Sequence, residues 1–417
     1  MIDLCVIGLG YVGLPTAAVF ADSGLRVHGI DRDAQRLDAI RRGEFGIEEP
    51  GLVSLLDEVI TTDRLTLSTS LVDAEVYVIA VPTPVTPEYG YDESYVLDAG
   101  RSISPNLKDG NLVILESTVP PTSTEKLMDF IQNERSCQGL PPVENLRVAH
   151  CPERVLPGRI LHELKYNDRI VGGVDTESTR AASDFYRRIC SGEVVSTDAR
   201  TAELAKIGEN AYRDVNIAFA NELSRIAEEA GVDDGELIQI MNRHPRVQVL
   251  SPSAGVGGHC IPVDPWFLIS GYPSLTPLMR KAREINDAKT EICIRRLQEK
   301  LSSNHCERIL LLGLSYKPDS GDTRNSSALE IAVELANSFP DKKFYVEEPY
   351  IKDIPPELEV LSNTFLARDV TFERHPDTTI LLVKHSEFFE YGLQKYGPRL
   401  IDYSGNPINV ESARGSL

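Results

Sequence analysis

The sequence is short of positive charge. Its 43 Lys and Arg residues face 63 Asp and Glu, a net charge of −20, and lysine supplies only 13 of the cations against 30 arginines. Such a chain is not built to bind nucleic acid or an anionic membrane, so an anionic ligand has to be held locally, by backbone amides and a few placed cations. The lysine shortage fits a salty cytoplasm and a biased genomic base composition equally well. No window approaches the run of about 18 uncharged apolar residues that a membrane span needs. The chain opens on an apolar strand with no basic n-region, so no signal peptide is expected. None of the seven cysteines (Cys5, Cys137, Cys151, Cys190, Cys260, Cys293, Cys306) forms a C-x-x-C pair. An odd, scattered set argues against a disulfide framework and against a zinc or other metal site, and points to a reducing cytoplasm. There is no short-period repeat and no low-complexity tract. What remains is ordinary globular material, 41% hydrophobic and 25% charged, long enough at 417 residues for two or three domains.

The clearest local pattern is at the start. The apolar run Leu4-Cys5-Val6-Ile7 leads into Gly8-Leu9-Gly10-Tyr11-Val12-Gly13 and then the helix-forming segment Leu14 to Ala21. A second strand, Arg26 to Ile30, ends at Asp31, eighteen residues after Gly13. Gly8 permits the tight turn, Gly10 lets a pyrophosphate approach the backbone, and Gly13 lets helix and strand pack closely. The free N–H groups of the helix N-terminus then face the phosphates. Asp31 can accept from a ribose diol and would repel a 2′-phosphate, so the expected cofactor is NAD rather than NADP. Tyr11, Val12 and Arg36 complete the expected cofactor contacts.

The rhythm continues. Val76–Val81 and Leu112–Leu115 are continuous apolar runs, as buried parallel strands are, and each ends in polar residues, Pro82-Thr83-Pro84 and Glu116-Ser117-Thr118. In a doubly wound sheet those ends line the ligand crevice. Thr83 and Thr118 are therefore candidates to touch the nicotinamide half, although either hydroxyl could equally cap a helix.

From about Asp198 to Ala230 the pattern predicts one long amphipathic helix. Leu204, Ile207, Ala211 and Val215 fall on one side, and Lys206, Asn210 and Arg213 on an opposite stripe roughly 60° wide. A cation, an amide and a second cation in line suit a polar anion; a solvated face is the plain alternative. Further on, three glycines precede a cysteine in Gly255-Val256-Gly257-Gly258-His259-Cys260-Ile261-Pro262-Val263-Asp264-Pro265-Trp266. They supply a flexible backbone that a substrate can approach. A thiolate nucleophile needs access and a nearby base or cation, for which Lys206 is a candidate, while a small buried hydrophobe is the common fate of a lone cysteine. A second α/β sheet follows, with strands at Arg308 onward, Lys343–Val346 and Thr379–Val383, and with Asn325-Ser326-Ser327 as helix-capping residues. It lacks G-x-G-x-x-G, so it should bind something other than NAD. The stretch around Gly139-Leu140-Pro141-Pro142 reads as a loop.

Three blocks, Gly8 to Pro15, Gly257-Gly258-His259-Cys260-Ile261-Pro262-Val263-Asp264 and Tyr316-Lys317 through Asp322-Thr323-Arg324-Asn325-Ser326-Ser327, occur in order over nearly the whole chain. Together they resemble the UDP-glucose/GDP-mannose dehydrogenase family. Cys151-Pro152-Glu153-Arg154-Val155-Leu156-Pro157-Gly158 and His244-Pro245-Arg246 look like the branch of that family acting on UDP-N-acetyl-D-mannosamine, ahead of branches using UDP-N-acetylglucosamine, UDP-glucose or GDP-mannose. The resemblance implies two Rossmann-like doubly wound parallel-sheet domains joined by a central long-helix dimerisation region. The boundaries it implies are 1–190 for the NAD-binding domain, 191–295 for the helical domain and 296–417 for the UDP-sugar domain. It implies a homodimer or a larger assembly, and a four-electron oxidation of a sugar C6 alcohol to the uronic acid for cell-surface polysaccharide synthesis. Cys260 would be the nucleophile, with Lys206, Asp264, Asn210, Glu153 and Thr118 in catalytic roles. Arg154, Val155, Lys206, Asn210, Arg213, His244, Arg246, Gly257, Tyr316 and Lys317 would hold the UDP-sugar, and Arg324 would reach a cofactor or substrate phosphate. A two-electron dehydrogenase or a non-catalytic nucleotide-sugar binder would have no use for Cys260. One departure stands out. Where many relatives carry Asp-x-Arg near the C-terminus, this chain has Asp402-Tyr403-Ser404, so either Arg399 takes that role or the contact is missing.

Overall fold

The computed structural model describes residues 2–47, 49–156, 158–303, 306–369, 376–390 and 400–404. The chain divides into two units, Met1–Glu209 with Trp266–Tyr272 and Asn210–Pro265 with Pro273–Leu417.

The first unit carries eight strands: β1 (Ile2–Ile7), β2 (Val27–Ile30), β3 (Leu65–Ser68), β4 (Ala74–Ile79), β5 (Leu112–Leu115), β6 (Arg147–His150), β7 (Arg169–Gly173) and β8 (Val194–Asp198). They lie in the order β3-β2-β1-β4-β5-β6-β7-β8. The order reverses between β1 and β4, and at such a switch point an α/β sheet opens its ligand crevice. Alternation along the strands sends Leu4 and Val6 to one face, against Leu14, Ala17 and Ala18 of the first helix (Gly13–Asp22), and Cys5 and Ile7 to the other. The sheet departs from the expected all-parallel pattern in one place: β6 and β7 run antiparallel, pairing Ala149 with Gly173 and His150 with Gly172. The connection between them, through the short helix Ile160–Tyr166, returns to the same edge of the sheet instead of crossing it. As a result Arg169, the first residue of β7, begins where the segment after β6 leaves the sheet.

In the second unit, a helical region including Asp234–Met241 and Pro277–Ser303 precedes a five-stranded parallel sheet. Its strands are β9 (Arg308–Leu312), β10 (Lys343–Glu347), β11 (Thr364–Leu366), β12 (Thr378–Leu381) and β13 (Leu400–Asp402), ordered β11-β10-β9-β12-β13. Its core joins Ile309, Leu311, Phe344, Val346 and Ile380 to Ile331, Ala332 and Leu335 of the helix Ser327–Ser338. Ser326 caps that helix by accepting from the Leu329 amide at 3.3 Å.

The long helix runs Ala199–Glu229, as the pattern predicts, but its buried face is rotated from the expected one. Leu204 is 48% exposed, whereas Ile207, Ala211, Asp214, Ala218 and Asn221 are buried. The reason is polar: Arg283 donates to Asp214 at 2.6 Å, Asn286 donates to Asp214 at 2.8 Å, and Asn221 donates to Asn286 at 2.9 Å. A paired charge and satisfied amides can be buried where a hydropathy pattern would put them outside. Among the described residues no helix is long and apolar enough to cross a membrane, and no cluster of side chains could hold a metal ion.

Candidate active site

In the first unit the glycine turn is shaped by close packing. Gly8 has φ +91°, and a Cβ there would stand 2.6 Å from the Ala80 carbonyl; a Cβ on Gly13 would stand 1.9 Å from the Gly8 carbonyl. Only Arg36, at 3.6 Å, approaches the corresponding point of Gly10, so the turn is open where a phosphate would lie. No side chain caps the first helix at Val12 and no acid sits in its first turn, which leaves its N–H groups and positive dipole end for an anion. Asp31 is fixed at the end of β2, its two oxygens accepting from the Leu9 and Asp33 amides at 3.0 Å each. Arg36 donates to the Leu9 carbonyl at 3.4 Å. The cradle fits a dinucleotide.

Thr83, Thr118 and Glu153 follow β4, β5 and β6 at the same carboxyl edge. Neither threonine caps a helix, since the N-cap positions of the helices that follow are Glu93 and Thr122. Glu153 is buried, with one oxygen accepting from the Arg154 amide at 2.7 Å and the other from Arg169 at 3.2 Å. The Arg154 side chain pairs with Glu209 at 2.8 Å, and Val155 is half-buried beside it. Lys206 sits one helical turn after Glu203, whose buried carboxylate accepts from the Thr122 amide at 2.6 Å and the Thr124 amide at 2.7 Å. That plug fixes the start of the long helix to the segment just after Thr118. Pro157, in the Cys151–Gly158 block, lies outside the described residues.

In the second unit, Cys260 is exposed and none of the seven cysteines is in a disulfide. The three glycines before it serve contact more than the flexibility expected of them. A Cβ on Gly257 would stand 2.4 Å from the Asn325 carbonyl. One on Gly258, where φ is +90°, would stand 2.8 Å from the Tyr316 ring, and one on Gly255 2.2 Å from Thr290. The loop is thereby clamped to the Tyr316–Asn325 segment, and the Gly258 amide donates to the Asn325 carbonyl at 3.2 Å. At its entry, the Ser253 amide donates to Asn221, at the end of the buried Arg283–Asp214 network. Past Cys260 the chain turns, the Asp264 amide donating to the Cys260 carbonyl at 2.8 Å, and Asp264 is buried and accepts from Asn210 at 2.5 Å.

Tyr316, whose phenol burial pushes up to about 12, and Lys317 stand on a loop after β9, at the switch between β9 and β12. Glu348 holds that loop by accepting from the Leu314 and Ser315 amides at 2.7 and 3.1 Å, and buried His385 lies 3.0 Å from the same carboxylate. Arg324 forks onto Asp322 at 2.9 and 2.7 Å, and Asp322 also faces His259 at 4.0 Å. Burial and the Arg324 charge push that imidazole below its ordinary value, so it is neutral at pH 7. Arg213, His244 and Arg246 are exposed; the Arg246 amide donates to His244 at 3.3 Å, and neither residue is bonded to the cysteine loop among the described residues. Ser404 folds back onto Asp402 at 2.6 Å, and Arg399 lies outside the described residues.

Sequence reasoning passed over Glu203, Glu116, Arg169, Glu348, His385 and the Arg283–Asp214 pair. Glu116 and Glu348 carried a usable signal, being acids at the carboxyl end of an apolar strand. The others are joined by contacts 16 to 81 residues apart in the chain.

An open glycine turn with an acid at the end of the second strand, followed by a second doubly wound sheet of different loop chemistry, defines a dinucleotide-dependent dehydrogenase with a separate nucleotide-binding domain. The chain belongs to the UDP-glucose/GDP-mannose dehydrogenase family: its NAD binding domain matches residues 2–190, its central domain 200–288 and its UDP binding domain 310–408. A UDP-N-acetyl-D-mannosamine dehydrogenase of Campylobacter jejuni is 42% identical over 392 residues, 93% of this chain and 96% of that protein. An NDP-N-acetyl-D-galactosaminuronic acid dehydrogenase of Ralstonia nicotianae is 42% identical over 402 residues, covering 95% and 94%. The solved structure of a UDP-D-ManNAc dehydrogenase from Pyrococcus horikoshii superposes with a TM-score of 0.83 at 36% identity, over 96% of this chain and 95% of that one. The protein is an NAD-dependent oxidoreductase of nucleotide sugars.

Proposed function

We propose that the protein oxidises the C6 primary alcohol of UDP-N-acetyl-D-mannosamine to the carboxylate in two steps, with a Cys260 thioester between the second oxidation and release. The observation that carries the reading is the setting of Cys260: an exposed thiol on a loop clamped at Gly257 and Gly258, four residues before a buried carboxylate held by Asn210. NAD+, when bound, would supply the hydride acceptor, one NAD+ for each oxidation, with the first NADH exchanged for a second NAD+ in between. In the first, the C6 hydroxyl loses its proton and the carbon its hydride, giving an aldehyde. An aldehyde has no C–O group left to oxidise until something adds to it, so the Cys260 thiolate adds to the carbonyl carbon. The resulting thiohemiacetal loses its hydroxyl proton and a second hydride to become a thioester. Water adds, the C–S bond breaks, and the acid leaves with the thiolate restored. Lys206 and Asp264 move the protons and steady the oxyanions, with Asn210, Glu153 and Thr118 in support. Arg154, Val155, Arg213, His244, Arg246, Gly257, Tyr316 and Lys317 hold the UDP-sugar, and Arg324 binds a phosphate. A pure nucleotide-sugar binder would have no use for the thiol.

The Ralstonia relative, equal in identity to the Campylobacter one, favours a second reading in which the sugar is N-acetyl-D-galactosamine. A panel of UDP-N-acetylmannosamine, UDP-N-acetylgalactosamine, UDP-N-acetylglucosamine, UDP-glucose and GDP-mannose, scored by kcat/KM for NADH formation, separates them. UDP-N-acetylmannosamine should lead; a lead for any other sugar sinks the assignment.

The domains are 1–190, 191–295 and 296–417, close to the spans of the three family matches. The protein acts in the cytoplasm on precursors of cell-surface polysaccharide. It pairs with a second copy through the long helix, where Tyr212, Phe219 and Ile226 are 71%, 50% and 64% exposed at seven-residue spacing, the repeat of a helix seam. Phe219→Glu should turn a dimer into a monomer in light scattering; an unchanged mass would place the interface elsewhere.

A further inference from the structure

Where β5 and β6 end and the antiparallel β7 begins, two buried acids share one guanidinium. Extending the antiparallel register of β6 and β7 sets Arg169 opposite Glu153, and extending the parallel register of β5 and β6, where Leu115 faces His150, sets Glu116 beside Cys151. Arg169 donates to Glu153 at 3.2 Å and lies 4.0 Å from Glu116 and 3.7 Å from the Cys151 sulfur, with its guanidinium over the Tyr186 ring at 4.9 Å. Glu116 accepts from the Tyr186 hydroxyl at 2.6 Å and from Thr16, on the first helix, at 3.4 Å. All six side chains are buried.

One cation cannot neutralise two carboxylates away from water, and like charges in one site force one acid to keep its proton. Glu153 has the stronger donors, a guanidinium and a backbone amide, so the retained proton belongs to Glu116, which has two hydroxyls and a more distant cation. Burial pushes the Glu116 carboxyl up to about 7 against the pull of Arg169. Burial also raises the Cys151 thiol to about 12 and pushes the Tyr186 phenol well above its ordinary value, so both stay neutral.

We propose that Glu116 is a positioning residue for Glu153: while it holds its proton, Arg169 is committed to Glu153, and when it ionises it draws Arg169 away and loosens that carboxylate. The proposal rests on Glu153 taking part in the reaction proposed above.

The test is kcat as a function of pH for the wild type, Glu116→Gln, Tyr186→Phe and Glu153→Gln, at saturating NAD+ and UDP-N-acetylmannosamine. The Glu116→Gln change replaces the acid with a permanently neutral isostere. The ratio of wild-type to Glu116→Gln turnover should fall by about fivefold or more between about pH 6 and pH 9, with its step near neutrality. Tyr186→Phe, which removes a donor to the ionised carboxylate, should move the step to higher pH. A merely structural Glu116 predicts a ratio constant with pH, and that result overturns the proposal. Should Glu116→Gln fail to fold, Tyr186→Phe decides: a step left where the wild type has it overturns the proposal. If Glu153→Gln turns over like the wild type, the Glu153 reading fails and takes the proposal with it. If Glu153→Gln is inactive while the other profiles run parallel to the wild type, only the Glu116 proposal fails.

Discussion

Asn210 donates a hydrogen bond to Asp264 across 2.5 Å, joining a residue of the long helix to the buried acid four positions beyond Cys260. A buried carboxylate that loses a donor costs about 1–3 kcal/mol, because no water replaces it. Asn210→Ala should therefore lower both thermal stability and turnover. Unchanged stability in a denaturant titration would mean that Asp264 is satisfied without Asn210.

The Asp31 carboxylate, at the end of β2 and held by the Leu9 and Asp33 amides, is the acid we propose for the cofactor ribose. We expect a strong preference for NAD over NADP, narrowed in Asp31→Ala by the loss of charge repulsion. Competing kcat/KM values for the two cofactors measure this, and equal use of both by the unaltered protein contradicts it.

Lys206 and Arg213 occupy one stripe of the long helix and should fail differently. Arg213→Ala should weaken UDP-sugar binding by the ~1.5–3 kcal/mol of a charge-assisted hydrogen bond while sparing NAD affinity. Lys206→Ala should damage turnover more than binding, since its proposed work is proton transfer. Separate affinities for the two ligands, measured beside turnover, decide the matter; small and equal effects would return the stripe to ordinary solvated surface.

Glu116 also predicts a pH-dependent stability. Its folded form keeps a proton up to about 7, whereas an unfolded glutamate has lost it above about 4.5. The folded state therefore binds the extra proton across that window, and stability falls as pH rises through it. Glu116→Gln should match the wild type near pH 5 and exceed it near pH 8 by about 1–3 kcal/mol. A gap in melting temperature that does not vary with pH would contradict this.

Much of the fold is legible in the residues because its strongest strands are apolar on both faces. Leu112–Leu115 is read to the residue, and β1, β4 and β10 to within two or three. β8 is missed because none of its residues is buried, and β6 because a polar residue stands at each end. The buried face of the long helix is misread at Leu204 because Asp214 and Asn221 go inside only through Arg283 and Asn286, about 70 residues away, a pairing no local pattern encodes. The glycine turn and the cysteine loop are legible as motifs, but the reason for Gly257 and Gly258, the approach of Asn325 and Tyr316, is visible only in three dimensions.

The proposed chemistry depends on Cys260, and the measurement that tests it most directly is the ratio of NADH formed to UDP-sugar consumed. A thioester route predicts two NADH per sugar with the uronate as sole product for the wild type. Cys260→Ser should bind both ligands yet fail to complete the second oxidation at a useful rate, because a serine hydroxyl is far less acidic than a thiol and its ester would hydrolyse slowly. One NADH per sugar with aldehyde released by the wild type, or full two-NADH turnover by Cys260→Ser, would contradict the mechanism.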